Sequence, residues 1–251
     1  MRKLSVFIGI IALMIFIGCG EESEIMTGST STQSKAESQT VSEQTRKTAP
    51  ELYYFGHASM CIVTEDDKVI YIDPYANGDY SRAADLILVT HGHFDHNQID
   101  KVENRNDNCE IITQNEALRD GKHQTFEYPF VKAEAVEAGN NPNHSINECV
   151  GYLLTFNNGK TLYISGDTST TDRMSELSER NIDYAFFCCD GVYNMDITEA
   201  ASCAETVGAK HNIPYHNLTS HTGEMFDREL ADEFDAPNKM IVYPGSSFAI
   251  E

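Results

Sequence analysis

"LILVTHGHFDHNQ", residues 86–98, is the stretch on which the fold turns. An apolar run from Leu86 to Val89 ends in three histidines and an aspartate within six residues, His91-Gly92-His93-Phe94-Asp95-His96. An unbroken apolar run suits a strand covered on both faces, as in the parallel sheets of α/β proteins. Imidazole and carboxylate together suit zinc or a similar divalent cation. In an extended segment residues two apart project to one side, so His91, His93 and Asp95 would share a face and His96 would point elsewhere. Gly92 lets the backbone pass close to a bound ion. Ligands aimed in two directions leave one idle around a single ion, whereas two adjacent ions use them all.

Outward from this stretch, strand-like and helix-like segments alternate from Leu52 onward. "LYYFGHASMCIVTE" (52–65) and "KVIYIDP" (68–74) read as two strands around the polar turn Asp66-Asp67. "CEIITQ" (109–114) and the alternating "FVKAEAVEA" (130–138) read as strands, with a short helical "NEALRDG" (115–121) between them. "VGYLLTFNNGKTLYISGDT" (150–168) is a hairpin around Asn158-Gly159. "TDRMSELSER" (171–180) reads as helix and "IDYAFFCCD" (182–190) as strand. "DITEAASCAETVGA" (196–209) reads as a helix opened by a capping box of Asp196 and Glu199. "KHNIPYH" (210–216) and "KMIVYPGSSFAI" (239–250) supply late strands. Two sheets packed face to face, with helices outside, would bury all these runs.

Three further positions suit the same chemistry. Asp167 ends the strand Leu162 to Ser165, where a tight turn at Gly166 would aim its carboxylate inward; helix capping is its ordinary alternative. His216 closes the apolar Ile213-Pro214-Tyr215 and is preferred to His211 and His221 for that strand-end position. His144 sits in the polar "NPNHSINE" (141–148), where a surface histidine is the plain alternative and His123 the competitor.

The ends of the chain have another character. "MRKLSVFIGIIALMIFIGCG" (1–20) has a basic start, a short apolar run and a small residue before Cys19, the layout of a signal peptide. It resembles the lipobox of bacterial lipoproteins, which implies cleavage before Cys19, lipidation of that cysteine and an extracytoplasmic, membrane-anchored protein. Residues 20–50 are rich in Ser, Thr, Glu and Gln and read as a disordered tether, leaving 51–251 as the domain. The net charge of -21 makes nucleic acid an unsuitable partner, because phosphate backbones need basic surface. The six cysteines after Cys19 show no C-x-x-C spacing and read as buried free thiols.

The pattern H-x-H-x-D-H over His91–His96 resembles that of the metallo-β-lactamase superfamily of metal-dependent hydrolases. "FGHASM", "IDP", "SGDT", "GVYNMDITEAA" and "IPYHN" add to the likeness, which is strongest toward the branch that includes ascorbate-6-phosphate lactonase. The resemblance implies a four-layer αββα sandwich holding two divalent ions, zinc first, with manganese or iron as alternatives. It implies that His91, His93 and His144 hold one ion and Asp95, His96 and His216 the other, with Asp167 bridging. It places His57 and Asp73 behind the ligands, and Tyr193 near the substrate. Asp167 stands where the commonest true β-lactamases carry cysteine, and His93 where the oxygen-reducing di-iron members carry glutamate. Both departures turn the expectation away from antibiotics and redox chemistry. Asp190-Gly191 replaces a Gly-Gly pair in a loop that borders the active site of relatives.

The expected activity is attack by a metal-bridged hydroxide, with Asp95 orienting it, on an ester, lactone or phosphodiester of a small-molecule or lipid substrate. A phospholipase D-like action on membrane phospholipid and a non-catalytic metal-binding lipoprotein are the competing readings.

Overall fold

The computed structural model describes residues 47–251. The signal-peptide and tether readings of residues 1–46, Cys19 included, lie outside the described residues. Among those residues no helix is long and apolar enough to cross a membrane.

The first sheet is built from β1 (Glu51–Gly56), β2 (Ser59–Val63), β3 (Val69–Ile72), β4 (Ala84–Leu88) and β5 (Arg105–Ile112). A short helix α1 (Gln114–Ala117) and the small ribbon β6 (Leu118–Arg119) and β7 (Lys122–His123) lead into the second sheet. That sheet holds β8 (Thr125–Tyr128), β9 (Val131–Glu137), β10 (Val150–Phe156), β11 (Thr161–Ile164), β12 (Tyr184–Cys188) and β13 (His211–Tyr215). A 3-10 helix (Asp172–Arg180) and α2 (Ile197–Val207) connect its parallel strands. After α3 (Arg228–Asp232), β14 (Ser247–Ala249) returns to pair with β1. The orders are β14-β1-β2-β3-β4-β5 and β13-β12-β11-β10-β9-β8.

Period-two alternation explains how the first sheet is covered. Met60, Ile62, Ile70, Ile72, Leu86 and Leu88 face the main core that both sheets share. Their neighbours Cys61, Val63, Val69, Tyr71 and Ile87 face a second, smaller cluster on the outer side. That outer layer is thin: Val102 and the 3-10 turn Ile99–Lys101 help to cover it, not a long helix. On the second sheet, Met174 and Leu177 of the 3-10 helix and Ala200, Cys203, Ala204 and Val207 of α2 join the main core. The architecture is the expected αββα sandwich with sparse helices. One buried hydroxyl ties the sheets together at the ligand end: Tyr152 of β10 donates to the carbonyls of Val89 (3.1 Å) and Ile112 (3.4 Å).

Three local expectations change. The run 52–65 is not one strand but the β1–β2 hairpin, because Gly56 and His57 take positive φ (111° and 52°) and reverse the chain. The late segment 239–250 is strand only at β14, since Pro244 and the left-handed Gly245 interrupt it. The capping box of α2 is half-made: Asp196 accepts from the N–H groups of Thr198 and Glu199, but the Glu199 carboxylate leaves to take N–H and Oγ–H from Thr170. The complete box belongs to α1, between Thr113 and Glu116.

The six described cysteines are free, and all but Cys109 are buried. Burial pushes the thiols of Cys61 and Cys149 up to about 12, which makes them poor nucleophiles.

Candidate metal centre

Parallel strands bring their carboxyl ends to one rim, where open α/β sheets place their ligand-binding loops. Asp73 directly follows β3, residues 90–96 follow β4, Asp167 follows β11, Asp190 follows β12 and His216 directly follows β13. His144 arrives on the loop before β10, and His57 on the β1–β2 turn. Three of these residues, His57, Asp73 and His216, hold the left-handed φ that branched-backbone sterics disfavour (52°, 43° and 44°). Each such residue costs of order 1–3 kcal/mol and persists only where surrounding contacts over-determine it. Here they do: Tyr54 Oη–H and His216 N–H both donate to the His57 carbonyl (2.9 and 3.2 Å).

The 91–96 segment does not stay extended. His96 N–H donates to the His93 carbonyl (3.1 Å), and the turn brings the His91 and His96 rings to 4.1 Å between centroids. The expected face shared by His91, His93 and Asp95 is therefore not formed. Instead His91, His93 and His144 make one group of converging ligand atoms, His57, Asp95, His96 and His216 a second, and His91, His96 and Asp167 a third. Within each group the atoms lie within 4.8 Å of one another. All seven residues singled out as ligands meet here. His144, far from being a surface residue, is 2% exposed. Asp167 caps no helix.

Asp167 is the common point. Its carboxylate lies 3.4 Å from the Nε2 atoms of His96, His144 and His216 and 4.0 Å from that of His91. His96 Nε2 and His216 Nε2 are 3.3 Å apart. His91 Nε2 and Asp167 Oδ1 are buried without a hydrogen-bond partner, and buried polar atoms rarely go unsatisfied. Ring nitrogens facing one another around a lone carboxylate fit divalent cations better than any arrangement of protons.

The tautomers point the same way. Buried Asp73 accepts Thr90 N–H (2.8 Å), Thr90 Oγ–H (2.7 Å) and His96 Nδ1–H (2.9 Å). With its hydrogen given to Asp73, Thr90 Oγ1 can only accept from His91 Nδ1 at 3.1 Å. Both imidazoles are thus held with Nε2 toward the centre, the orienting role expected of Asp73. Thr90 shares it; its place immediately before His91 was the only signal available in the sequence.

His57 packs directly against two of the ligands. It lines the cleft, with its ring 3.7 Å from that of His216 and its Nε2 3.2 Å from Asp95 Oδ2. Burial, with His216 adding to it, pushes its pKa down to about 3, so the contact with Asp95 joins a neutral ring to a carboxylate. Burial alone would raise the Asp95 carboxyl, but the hydrogen bond from His57 and the nearby His96 hold it well below the usual range. Burial opposes charge on Asp167 too, yet His216 and His96 keep it ionised. Reciprocally, Asp167 and Asp73 hold His96 above its ordinary value against the effect of burial. Protons and cations compete for the same nitrogens.

A further network escaped the sequence. Asp190 Oδ1 accepts the N–H groups of Val192 (2.8 Å) and Tyr193 (2.7 Å), while Asn194 Nδ2 donates to Asp190 Oδ2 (2.7 Å) and Asp167 Oδ2 (3.0 Å). Only the folded loop brings Asn194 to Asp167. His221, set aside in favour of His216, also lines the cleft, 4.0 Å from Asp95.

Gly166 sets the turn that delivers Asp167. Its φ is 63°, and a Cβ there would lie 2.5 Å from the Val150 carbonyl. Gly166→Ala should cost at least about 2 kcal/mol, from the left-handed backbone and the overpacking together. Denaturant unfolding that matches wild type would refute this.

A sequence model of the β-lactamase superfamily domain matches residues 51–216, which include His91–His96, Asp167 and His216. The chain belongs to the metallo-β-lactamase superfamily. It is similar to the UPF0173 metal-dependent hydrolase of Geobacillus thermodenitrificans, 31% identical over 193 residues covering 66% of this chain and 84% of the relative. It is also similar to a crystallised protein of Parabacteroides distasonis described as a metal-dependent hydrolase. The two are 29% identical, with a TM-score of 0.60 over 76% of this chain and 91% of the other. Igni18, a metallo hydrolase of Ignicoccus hospitalis, shares the fold at 18% identity, with a TM-score of 0.60 over 81% of this chain and 99% of its own. This superfamily member is a metal-dependent hydrolase whose His and Asp clusters are capable of binding metal.

Proposed function

We propose that the domain is a dinuclear hydrolase of ester, lactone or phosphodiester substrates. His91, His93 and His144 would hold one divalent cation and Asp95, His96 and His216 the other, with Asp167 within reach of both. Cations held by these residues would supply Lewis-acid chemistry, making a bound water more acidic and offsetting negative charge that develops on the substrate oxygen. The imidazole and carboxylate ligand set suits zinc, with manganese or iron as alternatives. The observation that carries this reading is the convergence of four buried imidazole nitrogens on the single carboxylate of Asp167.

The chain's own groups divide the work. Asp95 stays ionised, so it only accepts, and it can hold one hydrogen of an attacking water while His57 fixes its rotamer. Asp73 and Thr90 lock the imidazoles. Asn194 ties Asp167 to the loop that carries Tyr193.

Metal analysis of the purified full chain should approach two equivalents, and a panel of esters, lactones and phosphodiesters should include a substrate. His93 is exposed, so His93→Ala should leave the core intact while removing metal and turnover. Two bound metals with no turnover anywhere on the panel, or turnover indifferent to His93→Ala, would sink the proposal. The phospholipid phosphodiesterase reading makes its own demand, release of headgroup from vesicles. Membership of a hydrolase family sets the non-catalytic reading aside.

The anchor belongs to this proposal as well: a diacylglyceryl thioether on Cys19 of the mature chain, read by mass spectrometry, is what it requires. An unmodified Cys19 would remove the lipid anchor, and an uncleaved N-terminus would leave the apolar segment itself as the membrane anchor.

A further inference from the structure

Among the described residues four large apolar side chains stand well exposed: Val192 (64%), Phe94 (60%), Tyr193 (50%) and Ile146 (41%). Single exposed apolar residues are ordinary on a protein surface. These four share a location. Phe94 lies between His93 and Asp95, Ile146 lies two residues past His144, and Val192 and Tyr193 lie between Asp190 and Asn194. Every one rides on a loop that brings a polar residue to the metal centre. Phe94 and Tyr193 line the cleft over that centre, a space of about 560 Å³.

These side chains are held out, not left loose. The Phe94 ring meets Tyr75 edge-on at 5.7 Å and His221 at 5.1 Å. The Val192–Tyr193 pair is presented by the Asp190 carboxylate, which takes both their N–H groups, and Asn143 Nδ2 donates to the Tyr193 carbonyl (3.4 Å). Keeping an apolar rim ordered in water has a standing cost, and such rims mark places where something apolar binds.

The charges of the cleft narrow what that something is. Among the described residues lining it none is lysine or arginine, and its acids are Asp95 and Asp167. A second anionic group on a substrate, such as the phosphate of a phosphorylated lactone, would find no lysine or arginine there. An uncharged hydrocarbon group would find Phe94 and Tyr193.

We propose that the substrate of this hydrolase carries a neutral apolar acyl or aryl group, seated between Phe94 and the Val192–Tyr193 loop, with its scissile bond over the metal centre. This rests on the dinuclear reading above and makes the 190–194 loop the specificity element. The departure from Gly-Gly at Asp190-Gly191 then has a purpose, because a glycine at 190 would have no side-chain acceptor to gather those N–H groups.

Hydroxamates test the two readings separately, since the hydroxamate group ligates metal whatever the reaction, while its tail explores the rim. The full chain loaded with zinc would be titrated calorimetrically with acetohydroxamate through octanohydroxamate. Octanohydroxamate should bind at least about 30-fold tighter than acetohydroxamate, as partial burial of six methylenes requires. In Val192→Ser/Tyr193→Ser, and separately in Phe94→Ser, that ratio should fall to about threefold or less, with zinc content and circular dichroism matching wild type. Tight acetohydroxamate binding with no chain-length dependence would overturn this proposal and leave the metal centre standing. Failure of every hydroxamate to bind would overturn both. A flat series accompanied by a dimer, or by binding to phosphatidylcholine vesicles, that the double variant abolishes would assign the rim to a second copy or to a lipid surface instead.

Discussion

The Asp167→Asn protein should fold, lose metal and turn over substrate about a thousandfold more slowly than wild type, the equivalent of several kcal/mol of charge stabilisation. Asparagine keeps the shape and one acceptor oxygen, so the hydrogen bond from Asn194 Nδ2 can survive. What disappears is the negative charge among four imidazole nitrogens at 3.4–4.0 Å. Without it, two cations placed in that ring would repel each other with no carboxylate between them. Metal content and kcat should fall together. A variant that retains two metal equivalents and wild-type kcat would show that Asp167 is a bystander and would remove the place between the cations assigned to it.

Asp73→Ala has the second largest expected effect, and it falls on stability as well as on metal. Three buried donors, Thr90 N–H, Thr90 Oγ–H and His96 Nδ1–H, lose their acceptor at once. Alanine also tolerates the left-handed φ of 43° less well than aspartate does. Breaking one partner out of a buried charged network costs about 3–5 kcal/mol. For a domain of this size that lowers Tm by roughly 10 °C. Metal affinity should drop about 10–100-fold besides, because the His96 ring is no longer held in register. Thermal melts with and without added zinc separate the two effects. A Tm within a degree or two of wild type in the absence of metal would mean that Asp73 does not brace the end of β3.

The contrast between those residues and the ones that were missed is a matter of sequence distance. His91, His93, Asp95 and His96 are contiguous and follow an apolar strand, so their chemistry is written locally. Asp167 and His216 are single residues, legible because each closes an apolar run and strand ends gather at one rim. His57 sits on a chain reversal that nothing in "FGHASM" announces. Its left-handed φ is fixed by contacts from Tyr54 and His216, the latter more than 150 residues away. Glu199 illustrates the same limit. The capping-box pattern was present, but a tertiary partner, Thr170, offered two donors and took the carboxylate.

The amino-acid order alone determined that two apolar sheets would pack, because periods of two and unbroken apolar runs have no other way to leave water. It also determined that metal-ligating groups would sit at strand ends, since each ligand is covalently fastened to its strand. Which candidate ligands converge on one another was decided only by tertiary structure. The turn at His93–His96 replaces an extended segment, and such a turn is stable only when Asp73, from another strand, satisfies His96. Apart from Tyr193, the apolar rim was likewise invisible beforehand, because exposure is a property of the assembled surface: Phe94 and Val192 would look like core residues until the fold leaves them outside.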